Sequence, residues 1–408
     1  MTALGRNGRN GRPMTTGRVG QLLRRPEQGR SAFLELFFDL VFVLAFFRLS
    51  QELLEQLSWT GAFQALVLLL PVLHVWAYAA RFTDLFDPRH PLIQLLVLSM
   101  MFGVLVMAAA APAAFGRKAL VFAGAYVTVR VGVLAVGVLA LRGHEAQRNA
   151  LRLLFWVGMA ALVWIAGAFI DGWARGALWA TAGAVEYVGI ALGFRTPGLG
   201  RAGARRRADI VVAEKHVAER YQQFFIIALG EPILVTGLTY GTGEFTADRG
   251  AATLVAFATT ALLWRIYIHR AGALLADAMT AALDPRRVTV LTVYSHVVMV
   301  AGMVVVAVGD ELVITHPLGH PDPAWIPVIL GGPALFLAGR AALEYAVFAR
   351  VSLSRVIGTL ALVALTPAMR DTPPLAAATA AALVLAGVAV ADAARTRRLP
   401  SERPSPPG

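Results

Sequence analysis

At 408 residues, with 57% hydrophobic and 15% charged side chains and a mean hydropathy of +0.64, the chain is too apolar for a soluble globular protein, in which about 25% of residues carry charge. Its net charge of +12 comes from arginines gathered in short loops and tails rather than on an aromatic-studded surface, which argues against nucleic acid as a partner. With no cysteine, disulfides, thiolate metal sites and a cysteine nucleophile are excluded, and the redox compartment stays undetermined.

Residues 1–31 are rich in Gly and Arg and lack the apolar core of a cleavable secretory signal. They read as a disordered basic cytoplasmic tail. Apolar windows of about 20 residues, enough to cross a hydrocarbon core of about 30 Å, then fall near 32–50, 60–81, 91–111, 118–141, 151–171 and 174–194. A basic linker at 195–216 interrupts them. Six more windows follow near 217–240, 251–270, 288–309, 325–349, 352–369 and 373–393, and a Pro-rich basic tail at 394–408 reads as disordered and cytoplasmic. The fold class expected is therefore an all-α integral membrane protein of about twelve transmembrane helices. It divides into a first six-helix membrane half at 32–194 and a second at 217–393.

Alternate connections differ in charge. The N-terminal tail, the central linker and the loops assigned Arg89, Arg148, Arg286 and Arg355 are basic; the opposite loops are assigned Glu52, Glu55, Asp171, Glu244, Asp248, Asp310, Glu311 and Asp322. Basic loops stay in the cytoplasm, so both termini are expected inside a cell membrane. The two sextets also echo one another. Trp76 precedes an Asp-Pro-Arg turn at Asp87 to Arg89, Trp264 precedes another at Asp284 to Arg286, and Arg130 and Arg340 stand mid-span in the fourth and tenth windows. Six being even, such repeats would be parallel, and duplicated halves often place a site at their interface.

An ionisable side chain at the bilayer centre costs about 3 kcal/mol on insertion scales, so each needs a partner, a wet cavity or a function. Glu35 and Asp39, four apart in the first window, share a helix face. Asp39 reads either as the partner of an arginine on another span or as a carrier of a proton or cation. In the seventh window Glu231 is followed by Pro232, which lacks an amide donor and clashes with the Ala228 carbonyl. Here a kink with a neutralised acid and a cation or proton site are both open. Arg130, Glu186 and Arg340 lie near mid-span, and Glu344, one turn from Arg340, is placed where it could pair with it on the same helix. For His74 and His296 the simpler reading is a neutral ring bonded to a carbonyl on a neighbouring helix. The proposed proton or ion pathway thus comprises Glu35, Asp39, Arg130, Glu186, Glu231 and Arg340. No organic cofactor or metal is indicated, because no His or carboxylate cluster has ligand spacing on one helix face.

The segments LELFFDLVFVLAF (Leu34 to Phe46) and ERYQQFFIIALGEPI (Glu219 to Ile233), with WAYAARFTDLFD (Trp76 to Asp87) between them, together resemble the bacterial low temperature requirement protein A family. The matching motif positions include Glu35, Phe38, Asp39, Gly230 and Glu231. The resemblance implies a multi-span plasma-membrane protein connected with growth in the cold, and brings no biochemical activity with it. After Gly-Glu the family usually has a small polar residue, where Pro232 stands here.

Three functions are weighed. The first is a secondary transporter or channel for protons or small cations, which predicts that Asp39→Asn and Glu231→Gln fold normally but lose flux. The second is a non-transporting membrane component whose basic tails meet anionic headgroups at about 1 kcal/mol per basic residue. The third, an intramembrane enzyme, lacks an HExxH, a GxSxG and the partners that Gly309-Asp310 needs for an aspartyl protease. The expectation is that the chain is not an enzyme.

Overall fold

The computed structural model describes residues 22–23, 33–144, 146–196, 207–398 and 403–407, with side chains left aside at 207–215 and 398. The described residues are mainly helical, joined by turns and short irregular segments, with an isolated antiparallel bridge between Leu23 and Phe86 and an irregular stretch at 403–407. A helix stands at every apolar window. In chain order these are α1 (Phe33–Glu55), α2 (Trp59–Leu85), α3 (Pro91–Ala110), α4 (Ala119–Ala140), α5 (Gln147–Ala168), α6 (Trp173–Leu192) and α7 (Arg207–Ala228). The remainder are α8 (Gly230–Gly241), α9 (Ala247–Tyr267), α10 (Leu275–Ala281), α11 (Pro285–Thr315), α12 (Trp325–Phe348), α13 (Leu353–Ala368) and α14 (Pro374–Arg398). Segments α7 with α8, and α9 with α10, are each one broken span.

Among the described residues, nine of these helices or broken pairs are long and apolar enough to cross a membrane. The other three depart for visible reasons: α1 carries Glu35, Asp39, Arg48 and Glu52, α6 carries Arg175 and Glu186, and α13 has only 16 residues. Large apolar side chains such as Leu95, Phe102, Leu162, Leu254, Leu360 and Val390 are exposed along the spans. On a water-soluble protein that much exposed apolar surface would be costly; against lipid it is the expected exterior.

Short connections force successive helices to run antiparallel, so the loops sort onto two faces. On the basic face lie Phe86 to His90, the turn after α4, the end of α6, the start of α11 and the α12–α13 turn. Local chemistry fixes these turns. Gly193 closes α6 in the left-handed region (φ 61°), as a helix C-terminus favours. Asp284 caps α11 by accepting from the Arg286 amide, with Pro285 at the first helical position.

Several loop assignments are corrected. Glu52 and Glu55 belong to α1, and Asp310 and Glu311 to α11, because the apolar residues Leu312, Val313 and Ile314 carry that helix on to Thr315. Arg148, Arg286 and Arg355 sit in first turns of helices rather than in loops, and Arg355 is buried. The central linker is helical from Arg207, and the final helix runs to Arg398, beyond the expected tail boundary at 394. The expected disordered N-terminal tail lies outside the described residues, apart from Leu22 and Leu23.

The closest packing is between α11 and α12. Gly302 and Gly309 on one helix, and Gly332 and Gly339 on the other, are each seven apart and so lie on one face. A Cβ at Gly302 would stand 2.6 Å from the Phe336 amide nitrogen, and one at Gly332 would stand 2.7 Å from that of Val306. With lipid outside as apolar as the core, such backbone approach is what holds membrane helices together. The two tryptophans of the suspected repeat differ in environment: Trp76 is buried, whereas Trp264 is 44% exposed.

Candidate functional site

The three motif segments pack against one another. Asp39 of α1 is fully buried and accepts both ends of the Arg220 fork from α7, at 2.8 Å and 2.7 Å, and the Trp76 indole N–H of α2 at 3.0 Å. Trp76 in turn stacks on Phe224 at 4.0 Å, and Phe42 and Phe46 meet Phe224 edge-on. One turn nearer the basic face, Glu35 meets the His216 ring at 3.3 Å, and His216 faces Asp84 at 3.8 Å. Of the two readings of Asp39, the geometry is that of the ion pair. A bidentate, charge-assisted fork plus an indole donor occupies the carboxylate on both oxygens.

A second cluster joins α2, α4 and α6. The Tyr126 hydroxyl donates to Glu186 Oε2, His74 Nδ1 lies 3.4 Å from that oxygen, and Arg130 Nη2 lies 3.9 Å from the other. Arg130 Nη2 also sits 3.2 Å from His74 Nε2, and its guanidinium covers the Tyr78 ring at 4.6 Å. A neutral His74 accepting at Nε2 and directing its Nδ1–H toward Glu186 fits both contacts. Arg130 retains Nε and Nη1 without hydrogen-bond partners. His74 thus serves side chains on two helices, not the neighbouring carbonyl expected of it.

Arg340 is placed differently from expectation. Its Nε donates to the Ile266 carbonyl at 3.0 Å and its Nη2 to that of His269 at 2.5 Å. These carbonyls are available because the span breaks after α9, where His269 has ψ 121° and Arg270 has φ 49°. Glu344, whose spacing allowed a pair with Arg340, instead pairs with Arg355 at 3.0 Å and accepts from the Ser352 hydroxyl at 2.9 Å. Arg355 also holds Asp392 through two contacts of 3.1 Å and 2.8 Å. The helical spacing of residues 340 and 344 permitted a pair; the backbone break offered the guanidinium a better set of acceptors.

His74 and His296, from opposite halves, line one small cavity together with Trp76, Tyr187, Tyr221 and Phe224. Its volume of about 20 Å³ has room for about one water molecule. His296 is bonded to the Thr292 carbonyl of its own helix at 2.8 Å and to the Tyr267 hydroxyl at 3.0 Å.

Glu231 stands apart from all of these. It is fully buried, it follows the break between α7 and α8, and neither carboxylate oxygen has a hydrogen-bond partner. Pro232 has no amide to return to the Ala228 carbonyl, which is why the helix is interrupted there. Around Glu231 are Ser50 of α1 and the acids Asp310 and Glu311 of α11. Ser50 donates to Phe47 O at 3.0 Å, Glu311 accepts from Gln51 at 2.7 Å, and buried Asp310 has an unpartnered Oδ2. The Thr236 hydroxyl, one turn and a half along α8, is likewise buried without a partner. Among the described residues, no group of three or more His, Asp or Glu side chains is arranged to hold a metal ion.

Sequence reasoning missed His216, assigned to the linker, and Asp310, assigned to a loop. The apolar run resuming after Glu311 was the signal for Asp310; for His216 there was none, since its partner Glu35 lies 181 residues away. The architecture defines a multi-pass helical membrane protein built around buried ion pairs, with Glu231 and Asp310 as buried acids that have no counter-ion among the described residues. Residues 30–390 match the profile of the bacterial low temperature requirement A protein family, and the chain belongs to that family. It is 34% identical over 316 residues to an uncharacterized protein of Rhizobium meliloti (strain 1021), covering 77% of this chain and 76% of the relative. No solved structure matches.

Proposed function

We propose that this protein is a twelve-span cell-membrane protein with both termini in the cytoplasm that carries protons, or a small monovalent cation, across the bilayer, and that it is not an enzyme. The observation that supports this is Glu231: a fully buried carboxyl at a helix break with no cation against it and only the Ser50 hydroxyl, which donates to the Phe47 carbonyl, as a nearby donor. A buried ion without a partner costs several kcal/mol, so this group needs a proton or a cation to complete it. Asp310, on the neighbouring α11, supplies a second buried acid within electrostatic reach of it. A proton needs only one carboxyl, so the proton is the preferred cargo.

In this reading Glu231 is the loading position. Asp39, Glu35, Arg130, Glu186 and Arg340 form the charged frame along the pathway, which keeps the helices in register while the α7–α8 break moves. The earlier expectation for Asp39→Asn changes accordingly: that substitution is expected to harm folding, not flux alone.

A second reading, a non-transporting component serving growth in the cold, is favoured by one observation. The cavity between the halves has room for only about one water molecule, so this conformation holds no open passage there.

The test is pH-dye flux into liposomes containing purified protein, under several cation gradients, with Glu231→Gln and Asp310→Asn alongside. Proton flux that is lost in Glu231→Gln, in protein with unchanged unfolding behaviour, is the expected result. Absence of flux from folded wild-type protein under every gradient refutes the transporter reading and leaves the second.

A further inference from the structure

We infer that the break between α9 and α10 is the cytoplasmic gate of the Glu231 pathway, and that Gln222 is the positioning residue that holds it shut. The inference rests on the reading of Glu231 as the loading position. Gln222 lies nine residues before Glu231 along α7 and α8, about 14 Å nearer the basic face at a rise of about 1.5 Å per residue. A proton leaving Glu231 toward that face passes its level.

A break inside a span frees carbonyls that have no water to turn to. Three of them are taken by side chains from other helices. Arg340 of α12 donates to the Ile266 and His269 carbonyls, at 3.0 Å and 2.5 Å, and Gln222 Nε2 of α7 donates to the Gly272 carbonyl at 2.6 Å. Glycine is required at 272, since a Cβ there would stand 2.3 Å from the Tyr267 carbonyl oxygen. Arg270, at φ 49° and ψ −79°, is near the rare and strained γ-turn geometry. Such a conformation persists only while its surroundings hold it, so the break can exist in two states and the donors decide between them.

The same helix supplies the plug. Phe225, one turn beyond Gln222, lies flat on Tyr267 with ring centroids 3.5 Å apart, and meets Phe336 of α12 at 6.0 Å. All three rings are buried, and the Tyr267 hydroxyl is 3.0 Å from His296 Nε2. They fill the level of the break with apolar surface, and an apolar constriction of this kind excludes water. Gln222 and Phe225 belong to the helix that is interrupted just before Glu231. A shift of α7 on unloading therefore draws the donor and the ring off the break together, as discontinuous spans do in membrane carriers. Facing Glu231 are Ser50 of α1 and Asp310 and Glu311 of α11. Around the break, with His269 and Arg270, stand Arg265 of α9, His296 of α11, Arg340 of α12, Arg355 of α13 and Asp392 of α14.

The test exploits the absence of cysteine from the chain. Ala271, fully buried between the clamped carbonyls, is replaced in full-length protein by Ala271→Cys and labelled in nanodiscs with a water-soluble maleimide. Rates are divided by those of Leu283→Cys, a 94% exposed position, which removes the pH dependence of the thiol itself. With Glu231 intact, relative labelling is expected to be slow at neutral pH and to rise toward alkaline pH; with Glu231→Gln it is expected to stay slow and flat. A response owed to His269, His296, Asp310 or Asp392 would persist in Glu231→Gln. Gln222→Leu and the milder Gln222→Asn are expected to label on the order of ten-fold faster at neutral pH, whether or not Glu231 is replaced. Equal pH profiles with and without Glu231 overturn the gate, and labelling unchanged in both Gln222 variants overturns the role of that residue. The expected profile in protein that shows no pH-dye flux supports the gate and refutes the carrier reading alone.

Discussion

Replacing Asp39 by Asn removes one charge from a buried, bidentate ion pair. The carboxylate takes two guanidinium contacts, at 2.8 Å and 2.7 Å, and the Trp76 indole at 3.0 Å. Asparagine keeps one oxygen for Trp76 or for one arm of Arg220, and turns an amide donor toward the other arm. Arg220, only 1% exposed, is then a buried cation that has lost its bonded counter-ion, with Glu35, one turn away on α1, as the acid that remains within electrostatic reach. Removing one member of such a pair costs about 3–5 kcal/mol, a large part of a typical total of about 5–15 kcal/mol. Replacing both members with apolar groups of similar volume, Asp39→Leu with Arg220→Met, is expected to recover most of that loss, because no charge is stranded. Equilibrium unfolding in mixed micelles, followed by tryptophan fluorescence, measures Asp39→Asn, the single variants Asp39→Leu and Arg220→Met, and the double variant. A coupling energy of at least about 2 kcal/mol in the cycle is expected. If Asp39→Asn costs less than about 1 kcal/mol, or if the double variant is as unstable as the sum of the singles, the pair is not the closed clamp described.

Three other substitutions probe separate parts of the structure. Gly302→Val pushes a side chain into the Phe336 backbone, 2.6 Å from the position of its Cβ. It is expected to separate α11 from α12 at a cost of about 1–3 kcal/mol or more, seen as a lower unfolding midpoint; an unchanged midpoint means the helices are not in backbone contact there. Arg340→Met deprives the Ile266 and His269 carbonyls of their donors, at about 1–3 kcal/mol for each buried acceptor. Hydrogen exchange is expected to rise around residues 266–275, whereas Glu344→Gln should disturb the Ser352 and Arg355 region and leave those amides protected.

What the sequence decided by itself is the membrane class, the place of each helix and the family. These properties are local: a run of about 20 apolar residues spans a bilayer wherever it occurs, and a proline without an amide interrupts a helix whatever surrounds it. The break at Pro232 and the sharing of one face by Glu35 and Asp39 were legible for that reason. The ends of helices were less so. At Asp310 a carboxylate looks like a loop residue until the protein around it replaces water, and at Arg355 the same holds for a cation held by Asp392 from 37 positions away. Partner choice was beyond the sequence altogether. Arg340 and Glu344 have ideal helical spacing, yet the guanidinium goes to carbonyls exposed by a backbone break some 70 residues earlier, and Asp39 and Glu35 find their partners 181 positions along the chain. Charges in a low-dielectric interior go to whichever opposite group or dipole the packing brings within hydrogen-bonding reach. Only the tertiary structure therefore determined that five of the six intramembrane charges singled out are engaged and that Glu231 is left without a counter-ion.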